Sequence, residues 1–205
     1  RTADDLLAGL DQGEFVAWYQ PQFDARSNQI SGVEALIRWQ HPHHGILTPD
    51  RFLKIADDLN VSAALDKIVL ENVLNDKLRW IAQGVVMPKV SVNVSSKRLH
   101  DDMLIETLRH LAITPGEIAF ELVESIFLDD SEDVTSGNLE QIKALGIDIE
   151  IDDFGTGHTS IVSLLKLKPK RLKIDRQLVM PIVNSPQERS IVRSIIEIAR
   201  SLGVE

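Results

Sequence analysis

The chain has 205 residues, enough for one sizeable core and better matched to one domain than two. It contains no cysteine, which excludes disulfides and thiolate metal sites and agrees with a reducing cytosol. A net charge of −9 argues against broad binding to a nucleic-acid backbone, and no apolar run approaches the ~20 residues that cross a bilayer.

The opening RTADDLLAGL lacks the pattern of a signal peptide. FVAWYQPQF (15–23) and QISGVEALIRW (29–39) read as strands joined by the turn-forming DARSN. The histidines of WQHPHHG (His41, His43, His44) surround Pro42 and Gly45 and read as loop punctuation; Trp18, Trp39 and Trp80 read as packing residues. Thr48-Pro49-Asp50 offers an N-cap with proline at the first helical position, after which Phe52, Ile55, Ala56 and Leu59 share one helical face. A helix over about 62–82 carries Leu65, Ile68, Val69 and Val73 in one stripe and stops near Gly84.

From there strands and helices alternate. Strand KVSVNV (89–94) precedes a helix near 101–111, and strand EIAFELVE (117–124) a helix near 138–145 that Gly146 ends. DIEIDDF (148–154), a short helix near 159–165, RLKID (171–175) and a helix near 187–202 complete the series. KLKPKR (166–171) is a basic patch, read as a solvated loop or as a receiver for an anionic ligand. Alternation implies parallel pairing with right-handed crossovers. No glycine-rich nucleotide loop follows the first strand, so a (β/α) barrel is favoured over an open sheet, with six strands visible where eight are needed.

Side chains alternate across a strand, so each strand splits into two sets. Glu34, Leu36 and Arg38 oppose Val33, Ala35 and Ile37; Ser91 and Asn93 oppose Val92 and Val94; Glu121 opposes Phe120 and Leu122. Glu150 and Asp152 oppose Ile149 and Ile151; Lys173 and Asp175 oppose Leu172 and Ile174. The apolar sets suit a helix-covered face, and the polar sets face a lumen that barrels normally fill with branched aliphatics. Singly, Glu34, Asn93, Glu121, Asp152 or Lys173 could be a hydrogen-bonded core residue. Together the carboxylates need counter-charge beyond one lysine, because each uncompensated buried ion costs several kcal/mol. Oxygen ligands without cysteine or a histidine pair suit a hard cation such as Mg2+ or Mn2+. The adjacent Asp152 and Asp153 either cap the next helix or serve two neighbouring ions that activate water for an in-line phosphoryl displacement.

Taken in order, YQPQF, GVEALIRW, PDRF, SVNVSS, ELVES, DDFGTG and LKID resemble the EAL-domain family of bacterial cyclic di-GMP phosphodiesterases, named for Glu34-Ala35-Leu36. The resemblance implies one EAL-type phosphodiesterase domain over 1–205, built as an α/β modified TIM barrel with an antiparallel first strand. It implies hydrolysis of cyclic di-GMP to linear pGpG with two Mg2+ or Mn2+ ions. Glu34, Asn93, Glu121, Asp152 and Asp153 resemble the metal ligands. Lys173 resembles the residue that orients or deprotonates the attacking water, and with Glu34 and Asp152 forms the catalytic set. Gln20, Leu36 and Arg38 resemble substrate contacts, Arg38 on a phosphate. Glu124 resembles the glutamate bracing the DDFG loop, which in the family connects a homodimer interface to the metal site.

His158 stands where the family usually has tyrosine and Asp58 where it has glutamate; tuning of the loop, not loss of activity, is expected. The sequence ends at SLGVE, ahead of the family's A-E-G-V-E-T motif, so the last two strands and a further metal-site glutamate are expected to be missing, and Glu205 is not that glutamate. The resemblance further implies an upstream sensor or GGDEF-type module, a cytoplasmic location with a parent that can be membrane-attached, and no DNA or RNA polymer as partner. Two other readings stand beside the enzyme. One is a family member that binds cyclic di-GMP without cleaving it. The other is a Schiff-base enzyme using Lys173 as nucleophile, which the carboxylates oppose by keeping the amine protonated.

Overall fold

The computed structural model describes residues 2–86, 89–124, 132–155 and 161–205. Helix α1 (Thr2–Asp11) leads into the hairpin of β1 (Phe15–Phe23) and β2 (Ile30–His41). The connecting turn is closed by Asp24, whose Oδ1 accepts from the Ser27 amide and hydroxyl and from the Arg26 amide. Pairing is antiparallel and sets Gln20 opposite Glu34 and Trp18 opposite Leu36.

The histidine segment departs from the loop expectation. β3 (Gly45–Leu47) folds back on β2, with His41 opposite Gly45, so the punctuation is a tight turn inside a second hairpin. Thr48 also departs. It is extended ahead of a 3-10 turn at Pro49–Arg51, but its hydroxyl bonds the Asp50 carboxylate at 2.5 Å and caps no backbone amide.

Next come α2 (Leu53–Asp58), α3 (Ser62–Ala82), β4 (Val90–Asn93), α4 (Ser96–Leu99), α5 (Leu104–Arg109) and β5 (Ile118–Val123). α6 (Glu132–Ala144), β6 (Asp148–Phe154), α7 (Ile161–Leu167), β7 (Arg171–Ile174), α8 (Arg176–Val179) and α9 (Pro186–Ser201) complete the series. The strand order is β1-β2-β4-β5-β6-β7, parallel from β2 onward, with β3 attached beside β2. This is the α/β modified barrel with an inverted first strand, and the sheet path ends at β1 and β7 without closing.

Those two edge strands are nevertheless joined. Arg171 on β7 donates from Nη1 to the Gln22 side chain on β1 at 3.1 Å. Beyond β7, Glu205 donates its amide to the Lys170 carbonyl and accepts from the Leu172 amide, continuing the ladder by one residue.

The odd-even split of the strands sorts the core. Val33, Ala35, Val90, Val92, Ile118, Phe120, Leu122, Ile149, Ile151 and Leu172 are all buried in one cluster with apolar side chains from α3, α5, α6, α7 and α9. Each large side chain buried this way contributes about 1.5–3 kcal/mol. A second cluster gathers Leu6, Phe15, Trp39, Phe52, Ala56 and Leu65, with Phe15 stacked on Trp39 at 5.3 Å and the indole N–H of Trp39 donating to Glu14. Apolar atoms therefore hold the outer face, which leaves the inner face free for polar groups.

Candidate active site

Five strands of the inner face converge on one charged group. Glu34 (β2), Glu121 (β5) and Asp152 (β6) each offer an oxygen within 4.8 Å of the others. Lys173 (β7) reaches all three, with Nζ at 2.9 Å from Glu34, 2.8 Å from Glu121 and 3.4 Å from Asp152. Asn93 (β4) donates its amide to Glu34 at 3.1 Å. The parallel registers explain the meeting: Asn93 lies opposite Glu121, and β6 and β7 bring Asp152 and Lys173 to the same end of the sheet.

Three carboxylates facing one ammonium leave a net charge near −2 when all are ionised. Glu121 is 1% exposed, and its Oε1 is buried without a hydrogen-bond partner among the described residues. A lone carboxylate oxygen in that position is costly unless a cation meets it. Oxygens around one Mg2+ at about 2.1 Å sit roughly 3–4 Å apart, close to the spacing of this group. The donor set therefore fits a hard divalent ion.

Burial is the largest influence on Glu121; Lys173 pulls the other way, but Glu34 and Asp152 add like charge, and the carboxyl is pushed up to about 8. Burial alone would lower the Lys173 amine, yet Glu121 and Glu34 outweigh it and hold the ammonium above the ordinary lysine range. A carboxyl whose folded pKa is raised adds stability that is complete below its ordinary value of 4.5 and lost as pH climbs towards 8. In chelator, the unfolding midpoint is therefore expected to fall between about pH 5 and 8. Glu121→Gln should reduce that slope without abolishing it, because Asp66 and Asp153 are also raised. Thermal unfolding across pH checks this, and an unchanged slope in the variant contradicts it.

Asp153 stands apart from the three-carboxylate group. Between Ile151 and Phe154 the β6–β7 register slips: Ile151 faces Leu172 and Phe154 faces Ile174, so β6 holds one residue more than β7. Asp153 occupies that slip at φ +54 and donates its amide to Asp152 Oδ1 at 2.9 Å. Its side chain bonds Asp175; partial burial together with the charges of Asp152 and Asp175 raises its carboxyl. Asp175 in turn accepts from the Gln177 amide and caps α8.

Glu124 is buried just past β5 and accepts from the Gly155 amide at 3.2 Å. Gly155 has φ +103, and a Cβ there would lie 2.5 Å from Leu178, so glycine is required. Residues 156–160, where His158 and the helix-cap alternative fall, lie outside the described residues. Asp58 is exposed at the end of α2.

Gln20, Leu36 and Arg38 share the face that carries Glu34, Gln20 directly across from it. Trp18 lies on that face as well, which corrects the packing expectation for one tryptophan of three: it is 49% exposed, whereas Trp39 is 1% exposed and Trp80 packs on Tyr19. A lower polar layer escaped notice as a unit. Glu150, 0% exposed, accepts from the Ser91 hydroxyl at 2.9 Å and from Arg171, with Lys89 3.8 Å away. Its members precede Asn93, Asp152 and Lys173 by two residues (Lys89 by four), so strand alternation was the available signal. The basic patch precedes β7 and lies at that lower end. There Lys168, Pro169 and Lys170 line a cleft of about 460 Å3, while Arg171, the last residue of the patch, joins the lower polar layer.

An open parallel sheet with an inverted first strand and a carboxylate-lined mouth places the chain among α/β barrel-type folds. The EAL domain family matches residues 3–205, and the chain belongs to that family. The bifunctional diguanylate cyclase/cyclic di-GMP phosphodiesterase MucR of Pseudomonas aeruginosa is 32% identical over 205 residues, covering 98% of this chain and 30% of that protein. The cyclic di-GMP phosphodiesterase PdeR of Escherichia coli is 29% identical, covering 98% of this chain and 31% of that one. The chain thus spans about a third of the length of these relatives. Among solved structures, the PaMucR phosphodiesterase in complex with c-di-GMP superposes with a TM-score of 0.89 at 32% identity, covering 99% of this chain and 83% of that chain. No helix among the described residues is long and apolar enough to cross a membrane.

Proposed function

We propose that the chain is the EAL-type phosphodiesterase domain of a longer signalling protein and hydrolyses cyclic di-GMP to linear pGpG. The observation that carries this reading is Glu121 Oε1, buried without a partner among the described residues inside a triad of carboxylates that one lysine cannot neutralise. Glu34, Asn93, Glu121, Asp152 and Asp153 would hold two Mg2+ or Mn2+ ions. Bound divalents supply Lewis acidity and lower the pKa of coordinated water towards neutrality.

The protein's own groups do the rest. Lys173, kept protonated among three carboxylates, donates hydrogen bonds and so orients the attacking water; removal of its proton is opposed by the same charges. Those charges equally oppose a Schiff-base role. The water oxygen bonds to phosphorus, one P–O ester bond breaks, and the released ribose oxygen takes up a proton. Arg38 would meet a phosphate, with Gln20 and Leu36, which share its face, lining the approach. Glu124, by holding the Gly155 amide, braces the loop that follows Asp152 and Asp153.

Support from relatives is of two kinds: curated proteins named as cyclic di-GMP phosphodiesterases and a structure solved with c-di-GMP. A sensor or GGDEF-type module upstream, a homodimer and a cytoplasmic site of action complete the proposal. The test is hydrolysis of cyclic di-GMP followed by chromatography of the product. Turnover should require Mg2+ or Mn2+ and stop on chelation. Binding of cyclic di-GMP with no divalent-supported cleavage would identify a receptor instead.

A further inference from the structure

Trp18 is an indole left in the open where its own strand offers a packed alternative. The odd-numbered Phe15 of β1 is buried in one core cluster and the partly buried Ala17 and Tyr19 pack against the other, while Trp18 projects with Gln20 and Gln22 from the polar face. The register sets it opposite Leu36, two residues above Glu34, or about 7 Å along the strand. The Arg38 guanidinium carbon is 5.5 Å from the ring centroid, within cation–π range, and Arg38 Nη1 also donates to the Ile37 carbonyl at 2.8 Å. A π-surface, half of it still open to solvent, is thus tied to the cation proposed above for a phosphate. The pair complements the two features a nucleotide presents together, an aromatic base and an adjacent anion.

We infer that Trp18 stacks a purine base of the bound cyclic dinucleotide and positions Arg38 towards its phosphate. This rests on the phosphodiesterase reading above and adds the determinant for a nucleobase. Stacking is tolerant of base identity, so Trp18 selects nucleotides over bare sugar phosphates without choosing among purines.

The test is equilibrium binding of cyclic di-GMP by calorimetry in Ca2+, with GMP and ribose 5-phosphate as competitors. Trp18→Leu should weaken cyclic di-GMP about tenfold or more, and Trp18→Phe should retain most of the affinity. In the leucine variant the preference for GMP over ribose 5-phosphate should collapse, and in hydrolysis the loss should fall on KM more than on kcat. Cyclic di-GMP should quench the tryptophan fluorescence of the unaltered chain and quench that of Trp18→Phe far less. Circular dichroism of both variants guards against misfolding, with the phenylalanine variant as the conservative control. Unchanged cyclic di-GMP affinity in Trp18→Leu, or equal loss of GMP and ribose 5-phosphate, overturns the inference and leaves the phosphodiesterase reading standing. Failure of the unaltered chain to bind cyclic di-GMP overturns both.

Discussion

Asp152→Asn is expected to lower divalent-dependent hydrolysis of cyclic di-GMP about a thousandfold or more. The change keeps the side chain's shape and removes one charge from a mouth where Glu34, Glu121 and Asp152 crowd within 4.8 Å. The fold should survive it. Asn keeps an oxygen to accept from the Asp153 amide, and the backbone stays in register opposite Val123. In chelator the variant should melt at the same temperature as the parent or slightly higher, since a like charge beside Glu121 is gone. Loss of activity without loss of stability would place Asp152 in the chemistry. Activity within tenfold of the parent would remove it, and with it the three-carboxylate site.

The second large effect concerns the ammonium. Lys173→Met should destabilise the metal-free protein by about 3–5 kcal/mol at pH 8.5, because it strips the counter-charge from buried carboxylates. For a chain of this size that corresponds to a fall in melting temperature of roughly 6–20 °C. The pH matters: against the burial that raises it, Lys173 is what holds the Glu121 carboxyl down to about 8. In the variant Glu121 keeps its proton to still higher pH, so the effect should grow towards alkaline pH and shrink at pH 6. Millimolar Mg2+ or Mn2+ should restore much of the loss, since a divalent ion fills the same electrostatic need. Turnover would stay low even with metal bound, because the ammonium proposed to orient the water is gone. Equal melting temperatures for parent and variant in chelator would mean that solvent, not Lys173, screens the lumen.

How much of this was legible beforehand depends on the range of the interaction. Strand alternation is local, and it sorted Val33 from Glu34, Val92 from Asn93 and Ile151 from Asp152 correctly, because period two needs only neighbouring residues. Helices with long apolar stripes, such as α3, were equally plain. The short α4 and α8 were not, since four residues carry no periodicity and their caps, Ser95 and Asp175, resemble any loop polar residue. β3 was hidden because its three residues pair with a strand already assigned, across a turn whose histidines invited other readings. Trp18 was misjudged for a different reason. Its neighbours give it the polar phase of the strand, but a tryptophan is ordinarily a core residue and composition overrode phase. The lower layer of Ser91, Glu150 and Arg171 needed three strands in register before it became a unit, which no single segment reveals.

The extra residue carried by β6 makes the spacing of the two aspartates a matter of chain length as well as chemistry. Exchanging either side chain alters one functional group and leaves its neighbours aimed as before. Deleting one would let the ladder run straight from Ile151 to a Phe154 that still meets Ile174, leaving a single aspartate where the rim now carries two. At this rim, then, the surplus residue is one the sheet can lose and the carboxylate pair cannot.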